Sequence, residues 1–415
     1  MAGDLKPQVF YGWYVVLAGF CIQMAAWGTN ITFGIFFKPL LTEFGWTRAM
    51  TSGASSFHTI LRGLFYVIVG RLNDKFGPKI LVVICGFLLG LGYILMSQVD
   101  AIWQLYLFYG VMVSIGMSAS FVPVATTITS WFAKKRGMAT SIFLSGASLG
   151  CMIMAPLSNW FIGIYGWRTS YIIIGIIGLV MIISGAQFLK SGPRRVNELS
   201  YSAHRAKGSI LNDEARGMSL QQAIQAKQFW VLCVIIFLGS FCQFTVLVHL
   251  VPYAIDQGIS GNSGAALLGI ATGMGLVGRI AIGITADRIG NKQVLAICLG
   301  LLLIDFVWLL MGKKFWMFCL FAVFYGLVGS VSVVLPSPMV AELFGLNSHG
   351  TILGAVMFGG TIGGAAGPLL AGHLFDITGS YQVHFLTCAL FSFTGIILTL
   401  LLIPTKTEIG HPLGP

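Results

Sequence analysis

The chain has 415 residues, of which 56% are hydrophobic and 9% charged, and a formal net charge of +11. Soluble domains carry about 25% charged residues, so this composition excludes a water-soluble globule and makes the lipid bilayer the surrounding solvent. Its apolar runs last about 20 residues or more, enough for helices to cross a hydrocarbon core of about 30 Å, and they do not alternate as barrel strands do.

In chain order the runs predict twelve spans, all helical. In the first half α1 covers 13–37, α2 48–70, α3 79–97, α4 103–132, α5 137–164 and α6 168–189. In the second half α7 covers 229–254, α8 264–287, α9 292–311, α10 315–344, α11 350–375 and α12 381–403. The first run continues to Phe37 without a small-residue cleavage site and is expected to stay as a span rather than act as a removable leader. Between α6 and α7 lies the only long polar stretch, which divides the chain into a bundle over 1–190, a linker over 191–227 and a second bundle over 228–415. A short amphipathic helix is expected near Leu220. The eight cysteines fall inside apolar runs without metal-type spacing, and they read as small packing residues, with no metal or cofactor implied.

The two bundles are copies. Gly70-Arg71-Leu72-Asn73-Asp74-Lys75-Phe76-Gly77-Pro78-Lys79 returns as Gly283-Ile284-Thr285-Ala286-Asp287-Arg288-Ile289-Gly290-Asn291-Lys292, every shared position displaced by 213. The same displacement pairs Gly45 with Gly258, Gly137 with Gly350, Gly146 with Gly359, Gly150 with Gly363 and Gly166 with Gly379. Glycines at four-residue spacing, Gly146/Gly150 and Gly359/Gly363/Gly367, let neighbouring helices approach closely. Internal repeats of this length are a mark of membrane transporters.

Charge fixes the expected orientation. With the N-terminus in the cytoplasm, that side receives 17 of the 24 bases and the opposite side five, leaving Arg62 and Arg279 inside spans. This bias places both termini in the cytoplasm. It also accounts for the net charge of +11, so no nucleic-acid partner is implied.

The repeated loop, a glycine, an acid, a base, a second glycine and a further base, resembles the signature of the major facilitator superfamily over the whole chain. The resemblance implies an all-α membrane fold of two pseudo-symmetric six-helix bundles. A narrower resemblance lies at Trp131-Phe132-Ala133-Lys134-Lys135-Arg136-Gly137-Met138-Ala139, where monocarboxylate transporters carry an aromatic-Phe pair, a basic triplet and Leu-Ala. This chain keeps the aromatic pair, the bases, Ala139 and Gly146, and departs at Ser141, Phe143 and Ser145. The helix 1 signature of that family survives only as Tyr11-Gly12-Trp13. Phe44-Gly45-Trp46-Thr47-Arg48 and His249-Leu250-Val251-Pro252 look like the bacterial members, related to oxalate and formate antiporters.

Intramembrane polar residues nominate the site, because a mid-membrane charge costs about 3 kcal/mol or more. Arg279 in α8 has no acid within a turn, and the resemblance implies that it holds the substrate carboxylate. Many family members place an acid four residues earlier and a lysine in α1; here stand Gly275 and, approximately, Ile31, so the usual proton relay does not carry over. His249, ahead of Pro252, is the candidate proton carrier or hydrogen-bond donor, against the plainer role of meeting a local polar need. Arg62 in α2 is a possible second anion contact, against pairing within its own half. Asp305 in α9 is expected to have a structural partner. Phe121, Leu144, Ser330, Phe358 and Asn30 are cavity-wall candidates by position. Asp74, Lys75, Asp287 and Arg288 are the expected gating group, with Asp74 at the N-terminus of α11 and Asp287 at that of α5.

No phosphate loop, metal cluster or nucleophile triad points to an enzyme. The expected function is secondary transport of a small monocarboxylate of the lactate or pyruvate type, with a proton, in a bacterial inner membrane, with a monomer as working unit. The alternative is an oxalate/formate-type anion exchanger, which commonly carries a lysine in α11; residues 350–375 contain no lysine or arginine.

Overall fold

A computed structural model of the chain describes residues 10–132, 135–192, 217–312 and 314–402. Both expected cytoplasmic termini and most of the expected linker lie outside the described residues. The observed helices are α1 (Gly12–Phe44), α2 (Arg48–Phe76), α3 (Pro78–Met96), α4 (Ile102–Trp131), α7 (Lys227–Asp256), α8 (Gly261–Ile289), α9 (Asn291–Met311), α10 (Phe315–Phe344), α11 (His349–Thr378) and α12 (Gln382–Leu401). α5 and α6 form one 52-residue run, Arg136–Gln187, that turns at Gly166 with φ 75°. A short helix, Leu220–Gln225, stands ahead of α7, with Ser219 capping its start.

Ten helices among the described residues are long and apolar enough to cross a bilayer, the Arg136–Gln187 run counting once. α2, at 29 residues, is long enough but falls outside that group. It carries His58, Arg62 and many small polar residues, so length rather than apolarity marks it as a span. Two other helices are interrupted. α4 is π-helical over Tyr106–Val113, after a first α-helical turn, a perturbation common near functional sites, and α10 breaks at Gly329-Ser330 and again before Pro336.

The repeat is written in backbone conformation. Gly45 and Gly258, Gly77 and Gly290, and Gly166 and Gly379 all have positive φ, the region where a Cβ is costly. These glycines end helices at matching points in both halves, which explains why the turns recur as glycines.

Missing side chains also fix the crossings. A Cβ on Gly146 or Gly150 would be driven into the Phe20 or Met24 carbonyl of α1, and one on Gly363 or Gly367 into the Phe237 or Phe241 carbonyl of α7. The halves meet by the same device, at Gly137 of α5 with Gly283 of α8 and at Gly70 of α2 with Gly350 of α11. By contrast, Gly34, Gly269, Gly273 and Gly372, towards the other end of their helices, meet nothing within 4 Å. The halves are thus closed at the end that carries Asp74 and Asp287. All eight cysteines are free.

Gly150→Val should destabilise the α1/α5 crossing by about 1–3 kcal/mol through overpacking, read as a lower unfolding temperature of purified protein. Gly163→Ala, at a position facing open space, should leave that temperature unchanged or raise it slightly.

Candidate functional site

Arg279 lies ten residues before the end of α8, about 15 Å along the helix, half the hydrocarbon thickness. It is half-buried and no carboxylate pairs with it; the ion pairs among the described residues both belong to Arg168, with Glu43 and Asp100 at 3.1 Å. Neutral acceptors from both halves hold it instead. Its Nε donates to Ser330 Oγ (3.2 Å), and its Nη1 donates to the Leu144 carbonyl (3.0 Å) and Ser148 Oγ (2.9 Å). Ser330 is available because α10 breaks there, and Leu144 and Ser148 stand one turn apart on one face of α5. Nη2 makes no hydrogen bond among the described residues and is not a buried orphan.

A guanidinium held by neutral dipoles keeps its full positive charge, and its free edge can take a carboxylate oxygen. Two of the sequence candidates, Ser330 and Leu144, therefore meet Arg279, Leu144 through its backbone rather than its side chain. Ser148 was not among them; the signal that would have found it is its spacing, one turn beyond Leu144 on the same face. Tyr325 was also missed. It lies five residues before Ser330, donates to the Gln243 carbonyl of α7 (2.8 Å), and sits within electrostatic reach of Arg279.

The remaining candidates are engaged elsewhere. His249 contacts the Tyr381 hydroxyl through Nδ1 (3.2 Å) and the Pro368 carbonyl through Nε2 (3.0 Å). A carbonyl only accepts, so Nε2 carries a proton and the Tyr381 hydroxyl can donate to Nδ1. No hydrogen bond among the described residues joins His249 to Arg279; it lies six residues, about 9 Å, beyond Gln243 along α7. Asn30 gives its amide to His58 Nε2 (3.1 Å) and the Tyr109 hydroxyl (3.4 Å) inside the first half. Phe121 is buried against Tyr66 and Phe143. Phe358 packs across the halves at Gly63. Asp305 is buried, with Oδ2 accepting no hydrogen bond; the expected structural partner is not found among the described residues. Arg62 contacts Trp27, its Cζ 5.0 Å from the ring centroid.

The closed end is built from two carboxylates on helix N-termini. Asp74 accepts from the Gly350 amide (3.0 Å) and from the Thr351 amide (2.8 Å) and hydroxyl (2.7 Å) at the start of α11. Asp287 accepts from the Gly137 and Met138 amides at the start of α5, each at 2.8 Å. Unpaired N–H groups and the positive end of the helix dipole hold the anions. The two bases grouped with them stay on the surface: Lys75 lies exposed over Phe76 (5.1 Å) and Arg288 is exposed, and neither makes an ion pair among the described residues. The acids find backbone donors at once, so the bases are left facing solvent.

Comparison with known proteins agrees with this geometry. The family model described as Major Facilitator Superfamily matches residues 15–311 and 275–413. The chain belongs to the major facilitator superfamily. It is a transporter rather than an enzyme. It is 26% identical over 398 residues to monocarboxylate transporter 13 of Rattus norvegicus, covering 95% of this chain and 90% of the relative. It is 27% identical over 404 residues to monocarboxylate transporter 2 of Homo sapiens, covering 92% and 83%. The crystal structure of the E. coli fucose:proton symporter FucP superposes with a TM-score of 0.70 at 14% identity, covering 94% of this chain and 98% of that one, a likeness of fold.

Asp287→Asn should open this end. Losing one charge-assisted pair costs about 2 kcal/mol, roughly thirtyfold in the closed-to-open ratio. In a cysteine-free background, cross-linking between Lys135→Cys and Arg288→Cys should fall accordingly, while expression is unchanged.

Proposed function

We propose that the chain is a secondary active transporter of small monocarboxylates of the lactate or pyruvate type, working by alternating access with Arg279 as the carboxylate anchor. The observation that carries this reading is a mid-membrane guanidinium without an acid, held only by neutral acceptors from both halves. A small carboxylate entering from water supplies the missing charge. It competes with Leu144 and Ser148 for the guanidinium, so loading loosens the tie between α8 and α5. The bundles over 1–190 and 228–415 then rock about Arg279, and the Asp74 and Asp287 contacts release as the closed end opens. The closed end is the cytoplasmic one by the distribution of bases. In the empty carrier the same tie resists rocking, which couples movement to loading.

No acid stands beside Arg279, so we assign the accompanying proton to His249, because an imidazole is the side chain suited to gain and release a proton near neutral pH. Protonation at Nδ1 would displace the hydrogen bond donated by Tyr381, giving α7 and the start of α12 a pH-dependent contact. The relatives named monocarboxylate transporters support the substrate class. The exchanger reading is weakened by α11, which contains no lysine or arginine among His349–Thr378.

Uptake of labelled lactate and oxalate into proteoliposomes, with and without a pH gradient, tests the assignment. Lactate accumulation driven by inward protons is expected, and oxalate exchange indifferent to pH would overturn it. Arg279→Lys keeps the charge but not the planar fork, so calorimetry should find lactate affinity about tenfold weaker. Arg279→Ala should lose about 2 kcal/mol or more, roughly thirtyfold. His249→Ala should lose proton-driven accumulation yet retain lactate/lactate exchange; full accumulation in this variant would remove the proton from His249.

A further inference from the structure

A second guanidinium in the bundle core is left uncompensated by the mechanism above. Arg62 is only 5% exposed, and its Nε is buried without a hydrogen-bond partner. Neither ion pair among the described residues involves it. Its surroundings are aromatic and neutral: the Trp27 ring stands 5.0 Å away, and His58, Tyr66 and Tyr109 lie within reach of its charge.

His58 does not compensate it. The Asn30 Nδ2 amide can only donate, so His58 Nε2 accepts from it at 3.1 Å. Nδ1 then carries the proton towards the Tyr109 carbonyl at 3.3 Å and the Ser114 hydroxyl at 2.8 Å. The ring is neutral and fully occupied. A desolvated cation facing neutral groups is costly unless an anion joins it, and a cation–π contact offsets only part of that cost.

The repeat adds a second observation. Displacement by 213 sends Arg62 to Gly275 and Arg279 to Tyr66, so each half carries one guanidinium in the interior of a span, set one helical turn apart in equivalent helices. Trp27 links them. Its ring faces Arg62, while its carbonyl accepts from Cys151 Sγ at 3.6 Å, and Cys151 lies three residues beyond Ser148, which Arg279 holds.

We propose that Arg62 forms a second small-anion site, in the first half of the chain, binding a halide or a carboxylate group against the guanidinium beside Trp27. Binding of a free anion there does not depend on Arg279 anchoring the substrate, whereas binding of a second carboxylate rests on that reading. Its occupant is either a free monovalent anion or the second carboxylate of a ligand whose first carboxylate sits on Arg279.

The test uses the full-length purified chain with Arg279→Gln, in a buffer whose ionic strength is set by a bulky sulfonate. Sodium chloride and sodium formate should each raise its unfolding temperature saturably. Adding Arg62→Met should abolish that response without lowering the unfolding temperature in anion-free buffer, because an apolar side chain replaces an uncompensated buried charge. Arg62→Lys should retain a weakened response. Iodide quenching of tryptophan fluorescence gives an independent readout, and its saturable component should vanish in both Trp27→Phe and Arg62→Met. In the chain with both arginines, oxalate binding at least tenfold tighter than formate, with Arg62→Met erasing the difference, identifies the second carboxylate of one ligand. Equal responses to chloride and formate identify a free anion. No saturable anion response in Arg279→Gln, or a response that survives Arg62→Met, would overturn the proposal.

Discussion

A guanidinium about 15 Å from the end of a membrane-spanning helix has to be solvated by something, and for Arg279 the solvent is a serine hydroxyl from α10 and a carbonyl and a second serine hydroxyl from α5. Dipoles can satisfy its donors without cancelling its charge. The requirement shapes its neighbours: α10 must break at Gly329-Ser330 to bring a hydroxyl close, and α5 must turn Leu144 and Ser148 towards α8. The tie joins the two halves, so the same bonds that stabilise the empty site also hold the halves together.

Those bonds form only if the halves approach backbone to backbone at one end. Gly137 against Gly283 and Gly70 against Gly350 allow that approach, and Asp287 and Asp74 then reach amides that would otherwise lack partners. Each carboxylate meets the first turn of a helix from the opposite half, a contact of short reach that breaks as a unit when the helices separate. The glycine crossings of α5 with α1 and of α11 with α7 lie within each half, which favours motion of whole bundles over bending of single helices.

The two halves share a backbone but differ in polarity. The first places Asn30, His58, Tyr109 and Ser114 in one network at the π-helical stretch of α4, whereas the matching region of the second contains Gln243, whose backbone carbonyl takes the Tyr325 hydroxyl. Duplication supplied the scaffold, and divergence at the positions related by 213 gave each half its own cation in its own surroundings.

Residue spacing alone determined the twelve-span architecture and the two-fold repeat, because apolar run length and recurrent glycines are local constraints that any fold of this chain must respect; the meeting of Asp74 with α11 and of Asp287 with α5 was implied by the family resemblance and is made by packing. Spacing also singled out Arg279, since an unpaired charge in an apolar run is costly wherever the helices go. What spacing could not decide was which neutral groups surround that charge. Ser148 is an ordinary residue by its letter and becomes a partner only when α5 and α8 converge, and the approach of α10 brings Tyr325 within electrostatic reach. Asn30 and His249 lie on helices expected to line the cavity, but hydrogen bonding turned Asn30 towards His58 and Tyr109, and His249 towards Pro368 and Tyr381. Lys75 and Arg288 share the repeated motif with the acids yet face solvent, because a carboxylate beside a helix N-terminus finds backbone donors before it needs a base. The length and apolarity of each helix were fixed along the chain; the partner of each polar group was fixed by packing, which brings together residues as distant as Leu144 and Arg279.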